Sequence, residues 1–79
     1  MKLPRDVSGV ALIRILERHF GYRQVHQVGS HVILETNDPH HHRIAIPAHA
    51  SLRLGTLNAV LRAVAQAKHI NKNDILSRL

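Results

Sequence analysis

YRQVHQVGSHVILET, residues 22–36, consists of two β-rich segments on either side of a Gly-Ser dipeptide. A two-residue loop with glycine first is a strong signal for a tight β-hairpin turn. The pattern therefore predicts two strands, over Tyr22–Val28 and His31–Thr36, joined by Gly29-Ser30.

The two-residue turn also predicts which side chains share a face of the hairpin. Three pairs lie on one face, namely Val28 with His31, His26 with Ile33 and Gln24 with Glu35. Two pairs lie on the other face, namely Gln27 with Val32 and Val25 with Leu34. Because the second face is the more apolar, we expect the helices to cover it. His31 and His26 then lie on a face that an antiparallel sheet can leave open to solvent.

The hairpin is flanked by sequence that predicts a helix before it and a third strand after it. Ser8 is a good N-cap, apolar residues follow at helical spacing, and Gly21 ends a helix that reaches Phe20. A third short strand is expected over Arg43–Ile46, and Pro47 ends it.

Two helices are predicted in the C-terminal third of the chain. Apolar residues at helical spacing mark an amphipathic helix over roughly Gly55–Ala67. Asn71 and Asp74 resemble a capping box, which predicts a short terminal helix. The order α-β-β-β-α-α indicates an α+β fold with a three-stranded antiparallel sheet and helices on one face. Since the chain has 79 residues, about half of the usual ~150, we expect one domain over residues 1–79.

The composition excludes several classes of protein. The chain has no cysteine, which excludes disulfides, thiolate zinc sites and cysteine nucleophiles. No apolar run approaches the ~18–20 residues that a membrane helix needs, and no signal-peptide core follows the N-terminus. We therefore expect a cytoplasmic protein that does not associate with membranes.

The charge distribution indicates an anionic partner. Eleven Lys and Arg against five Asp and Glu give a net charge of +6, and no acid lies between Asp38 and Asp74. A basic field of this kind attracts nucleic acid or an acidic protein. The alternative is an ordinary solvated surface with an excess of one sign of charge.

Three sets of residues could carry chemistry. His31 begins a strand on the open face and can take or give a proton near neutral pH, although a lone histidine is usually a surface residue.

Arg53, Gly55 and Thr56 begin a helix, where free N–H groups and a guanidinium attract phosphate; a plain helix start capped by Thr56 is the alternative. The run His40-His41-His42 resembles a metal-binding tract. Consecutive strand residues point to opposite faces, so the three histidines cannot all bind one ion. We therefore predict no metal site. We also expect no cofactor.

Three motifs follow one another along the chain: GSH at residues 29–31, IAIPAH at 44–49 and LRLGTLNAVL at 52–61. In this order, with Ser8-Gly9 opening the first helix, they resemble the HicA toxins of bacterial type II toxin–antitoxin pairs. The resemblance spans nearly the whole chain. Two positions depart from the family pattern: many members have a second histidine where Val32 stands and a basic residue where Val28 stands.

The resemblance to HicA implies a small fold like that of double-stranded-RNA-binding domains. It implies ribosome-independent endonucleolytic cleavage of messenger RNA, with His31 as the essential histidine. It also implies a HicB-type antitoxin that covers His31 in a hetero-oligomeric complex, with the toxin monomeric when free.

On this interpretation the chain is a metal-independent endoribonuclease in which His31 acts as general acid or base. His49 and His26 are the alternatives for a second proton carrier. The predicted RNA-binding residues are Ser30, Arg43, Arg53, Gly55 and Thr56. Two other functions stay open from sequence: a module that binds double-stranded RNA without cleaving it, and a basic protein that binds an acidic partner.

Overall fold

The computed structural model describes residues 3–79 of the chain. Its elements are α1 (Gly9–His19), β1 (Arg23–Val28), β2 (His31–Thr36), β3 (His42–Pro47), α2 (Leu54–Lys68) and α3 (Lys72–Leu76). The strands form one antiparallel sheet in the order β1-β2-β3. The predicted α+β fold and its element order are confirmed. Within residues 3–79, no helix combines the length and the apolar character that crossing a membrane requires.

The core lies between the helices and one face of the sheet. Val32, Leu34 and Ile46 are buried on that face, whereas His31 and Ala45 on the other face are exposed. The helices contribute most of the remaining buried side chains, including Leu12, Leu16, Leu57, Leu61, Val64 and Ile75. Full burial of each such side chain contributes about 1.5–3 kcal/mol. The prediction that the apolar face is covered and the His31 face is open is therefore confirmed.

The helix ends have local causes that the sequence predicted. The side chain of Ser8 accepts a hydrogen bond from the N–H of Ala11 over 3.0 Å. Gly21, just after α1, takes a φ of 72°, a left-handed conformation that glycine adopts without steric cost. The carboxylate of Asp74 accepts the N–H of Asn71 over 3.1 Å at the start of α3, as the capping-box pattern predicts.

The predicted hairpin register is right near the turn and wrong beyond it. The pairs next to the turn are confirmed: Val28 with His31, Gln27 with Val32 and His26 with Ile33. A bulge between Gln24 and His26 then places Gln24 opposite Leu34 and Arg23 opposite Glu35. Val25 was expected on the covered face opposite Leu34, but it is the extra residue of the bulge and is exposed.

The bulge has a physical reason in the residues that precede it. One extra residue reverses the alternation of β1, so Tyr22 points into the core and is only 3% exposed. Arg23 then points outward, and its guanidinium lies 3.3 Å from the carboxylate of Glu35. Burying the large ring of Tyr22 removes more apolar surface from water than burying Val25 would.

A polar network closes the end of the sheet opposite to the hairpin turn. The amine of Lys68 donates to the hydroxyl of Thr36 over 2.8 Å and to the carbonyl of Asp38, and it lies 5.0 Å from the centre of the Tyr22 ring. The Tyr22 hydroxyl lies 2.8 Å from Nδ1 of His42. Burial raises the pKa of Tyr22 to about 12, so this hydroxyl keeps its proton. The network joins the end of α2 to β2, to β3 and to Tyr22, the residue before β1.

Candidate functional site

His31 lies at the end of the open face that adjoins the hairpin turn. It is the first residue of β2, it is exposed, and its neighbours across the sheet are Val28 and Pro47. The preceding Gly29 has a φ of 58°, which a glycine-first turn requires. The turn therefore presents the His31 imidazole to solvent, on a sheet whose other face is packed into the core.

Ser30 and His49 lie beside His31 at the same end of the sheet. The hydroxyl of Ser30 lies 3.3 Å from Nε2 of His49. The N–H of Ala48 donates to the carbonyl of Ser30 over 2.7 Å, which continues the pairing one residue beyond β3. The structure thus brings together three of the residues that sequence analysis proposed, although they are up to 19 positions apart in the chain.

Gly9 holds the segment after β3 in place, a role that sequence analysis missed. Its N–H donates to the carbonyl of His49 over 2.9 Å. A Cβ added at Gly9 would lie 1.8 Å from the carbonyl oxygen of Pro47, so only glycine fits without a shift of the backbone. The available signal was a glycine inside the first turn of a helix, where glycine is otherwise unfavourable.

His26 shares the open face with His31, but its side chain is not held by a hydrogen bond within the described part of the chain. It is exposed on β1 opposite Ile33, directly after the bulge. His26 and His31 are diagonal neighbours in the β1–β2 pair. Residues in this relationship are about 7–8 Å apart. Among residues 3–79, no side-chain hydrogen-bond partner of His26 is found, in contrast to His49.

Arg43 lies at the opposite end of the open face from His31. It pairs with Glu35, four residues further along β2, which is about 13 Å at ~3.3 Å per residue. The carboxylate of Glu35 is within 4 Å of three basic side chains: Arg23 at 3.3 Å, His41 at 3.0 Å and Arg43 at 3.5 Å. The hydrogen bond from His41, with help from the two arginines, lowers the pKa of Glu35. The structure therefore keeps Arg43 apart from His31, in a basic cluster centred on Glu35.

Arg53, Gly55 and Thr56 form the start of α2, as the sequence predicted. Arg53 is the N-cap with an extended backbone, and its exposed side chain makes no cap hydrogen bond. The first N–H groups of a helix have no partner inside the helix and attract anions. A shallow depression connects Gly55 and Thr56 with Ala45 of β3, on the open face. An extended polymer on the open face could therefore reach the start of α2 across the edge of the sheet.

The three consecutive histidines point to different partners. His41 bonds to Glu35, His42 bonds to Tyr22, and His40 stacks edge-on against His69 with ring centres 5.9 Å apart. Within residues 3–79, no group of three or more metal-ligating side chains lies close enough together to hold an ion. His42 begins β3, one residue before the strand expected from Arg43, and it is partly buried. Burial lowers its pKa, and the nearby charge of Lys68 lowers it further.

Comparison with known proteins adds a family assignment to this geometry. A family model described as the HicA toxin of bacterial toxin–antitoxin systems matches residues 11–66, more than two thirds of the 79-residue chain. The match includes the hairpin turn, His31, the Pro47–His49 segment and the start of α2. No significant match is found among curated proteins or solved structures.

Proposed function

The chain belongs to the HicA family of toxin–antitoxin toxins, and we propose that it is an endoribonuclease that cleaves messenger RNA without the ribosome. Toxins of this family are generally RNases and pair with antitoxins. The observation that carries the proposal is the exposed imidazole of His31 at the end of an open sheet face, beside Ser30 and His49.

His31 supplies the proton transfer that RNA cleavage needs. RNA carries its own nucleophile, the ribose 2′-hydroxyl, and a positioned imidazole can take its proton or give one to the leaving oxygen. General acid–base catalysis by one such group contributes about 10²–10⁴-fold. Nothing in this step requires a metal ion, so we propose metal-independent cleavage.

The basic groups around the open face support binding of an RNA strand. Arg53 and the N–H groups at Gly55 and Thr56 would hold one phosphate near the edge of β3. Arg43, in the basic cluster at the far end, would hold another. Ser30 lies close enough to His31 for its hydroxyl to contact the RNA as well. Contacts to phosphate position the strand but do not read its sequence.

We propose that the antitoxin partner is a HicB-type protein that covers His31 in a hetero-oligomeric complex in the bacterial cytoplasm. Free of it, the toxin would act as a monomer. The net charge of +6 and the exposed basic side chains favour a partner with an acidic surface.

The proposal is tested by incubating the purified chain with a long single-stranded RNA, with and without excess EDTA. Cleavage that is equal in both samples supports it. Binding without cleavage would instead support a non-catalytic RNA-binding module. The absence of any RNA binding would support a basic interaction protein. Activity that EDTA removes and a divalent ion restores would contradict the metal-independent mechanism.

A further inference from the structure

We propose that His49 is the second proton carrier of RNA cleavage and that Ser30 is the residue that positions its imidazole. The inference rests on the proposed RNase function of His31. It decides between His49 and His26, which sequence analysis leaves as alternatives, and it gives Ser30 a role beyond contact with RNA.

The side chains of Ser30 and His49 are in direct contact. Nε2 of His49 lies 3.3 Å from the Ser30 hydroxyl, and Ser30 directly precedes His31. Consecutive Cα atoms are ~3.8 Å apart, so the ring of His49 is held at the same end of the sheet as the ring of His31. A catalytic imidazole is commonly oriented by a hydrogen bond of this kind to a third group.

The backbone at His49 is held on two sides. Its carbonyl accepts the N–H of Gly9, at the start of α1, over 2.9 Å. The residue before it, Ala48, donates its N–H to Ser30 over 2.7 Å. A catalytic group must stay close to its productive geometry, because small displacements lower the rate strongly. The backbone of His26 is held by the pairing of β1 with β2, but its side chain has no hydrogen-bond partner among residues 3–79 to orient the ring.

The chemical step balances with two imidazoles. The 2′-oxygen bonds to phosphorus while the bond from phosphorus to the 5′-oxygen breaks. One neutral imidazole of the pair takes the proton of the 2′-hydroxyl, and the other, as imidazolium, gives a proton to the departing 5′-oxygen. The products are a 2′,3′-cyclic phosphate and a free 5′-hydroxyl, with no change in the total number of protons on the pair. His31 and His49 divide these two roles.

Other ionisable side chains on the described segments around this end include His26 on β1 and Asp6, whose carboxylate accepts a hydrogen bond from the Ser51 hydroxyl over 3.4 Å. The first turn of α1, which contacts the His49 backbone, carries no ionisable side chain. The pH dependence of cleavage should therefore be dominated by His31 and His49.

The test compares four variants of the full chain on one short single-stranded RNA: His49→Gln, His26→Gln, Ser30→Ala and Ser30→Thr. The matched control is His19→Gln, which replaces an exposed histidine on α1.

We expect His49→Gln to lower kcat about 10²-fold or more and to remove one limb of the bell-shaped pH–rate profile. Ser30→Ala should lower kcat about 10-fold or more and shift that same limb, and Ser30→Thr should restore most of the rate. A loss that only raises KM would make Ser30 an RNA contact and overturn its positioning role.

A modified substrate gives a second, independent measurement. When sulfur replaces the 5′-bridging oxygen, the leaving group no longer needs a proton. Of the His31→Gln and His49→Gln variants, one should recover activity on this substrate and the other should not. Recovery of both or of neither would overturn the pairing, and so would a larger loss in His26→Gln than in His49→Gln. If the wild-type chain cleaves no RNA, the proposed function itself fails, which is a distinct result.

Discussion

The backbone N–H of Gly9 donates to the carbonyl oxygen of His49 over 2.9 Å, which joins the start of α1 to the segment that follows β3. The contact is close because Gly9 has no side chain, and the carbonyl of Pro47 occupies the place where a Cβ would stand. The first turn of a helix thus fixes the position of a residue that we place in the reaction.

Gly9→Ala should therefore destabilise the protein and slow RNA cleavage together. The added Cβ meets backbone rather than a flexible side chain, and overpacking of this kind costs about 1–3 kcal/mol. Urea unfolding measures the first effect and RNA cleavage below the unfolding transition measures the second. Gly55→Ala is the matched control for stability, because a Cβ at Gly55 meets nothing within 4 Å. Equal stability of Gly9→Ala and the wild type would show that the contact is not tight in solution.

The sequence predicted most of the fold because the hydrophobic pattern and the turn residues agree with each other. Gly29-Ser30 fixed the register at the turn, and that register correctly placed His31 on the open face. It failed at Val25, because an alternating pattern contains no sign of an inserted residue. The burial of Tyr22, a tertiary effect, decides the register there.

The sequence predicts those parts of the candidate site that depend on local structure and not those that depend on tertiary contacts. His31 follows from its place next to the turn, which is a local property. The contact of Ser30 with His49 depends on how β3 pairs with β2, and the support from Gly9 depends on how α1 packs. No local pattern encodes either contact. Charge alone groups Arg43 with the other predicted RNA-binding residues, and only the strand register shows that it lies far from His31.

Stability should fall on mild acidification because of His42. Its pKa is lowered in the folded protein, mainly by burial, so the unfolded chain binds more protons between that lowered value and the ordinary histidine value of 6.5. Stability therefore rises with pH through this window and is lost as pH falls through it. The Tyr22 hydroxyl contact favours the same neutral form, since Tyr22 keeps its proton and can donate it to Nδ1.

The measurement is the free energy of unfolding at several pH values above and below 6.5, for the wild type and for His42→Gln. We expect the variant to be less stable near neutral pH and to depend less on pH. His19→Gln should behave like the wild type. The stabilisation from Glu35, whose pKa is lowered, is lost only below its ordinary value of 4.5, so the measurements for His42 are made above that pH. An unchanged slope in His42→Gln would assign the pH dependence to other groups.

Arg53→Ala should weaken RNA binding to a similar degree for every RNA sequence. A contact to phosphate reads no base, so its loss should reduce the slope of log affinity against log salt concentration by about one unit. Binding titrations of a cleavage-deficient His31→Ala background at several salt concentrations give this slope. Arg78→Ala, an exposed arginine near the C-terminus, is the matched control. If Arg53→Ala leaves the slope unchanged, Arg53 serves the fold or the antitoxin interface rather than RNA.

The most direct test of the central claim is the RNA cleavage rate of His31→Ala, measured beside its thermal unfolding. The exposed imidazole makes few packing contacts, and surface substitutions usually change stability by less than about 0.5 kcal/mol. Loss of a proton-transfer group should lower the rate about 10²–10⁴-fold, or about 3–5 kcal/mol of barrier. We therefore predict a variant that melts like the wild type, no longer arrests growth when expressed alone, and barely cleaves RNA. A variant that melts normally and cleaves RNA at the wild-type rate would contradict the account.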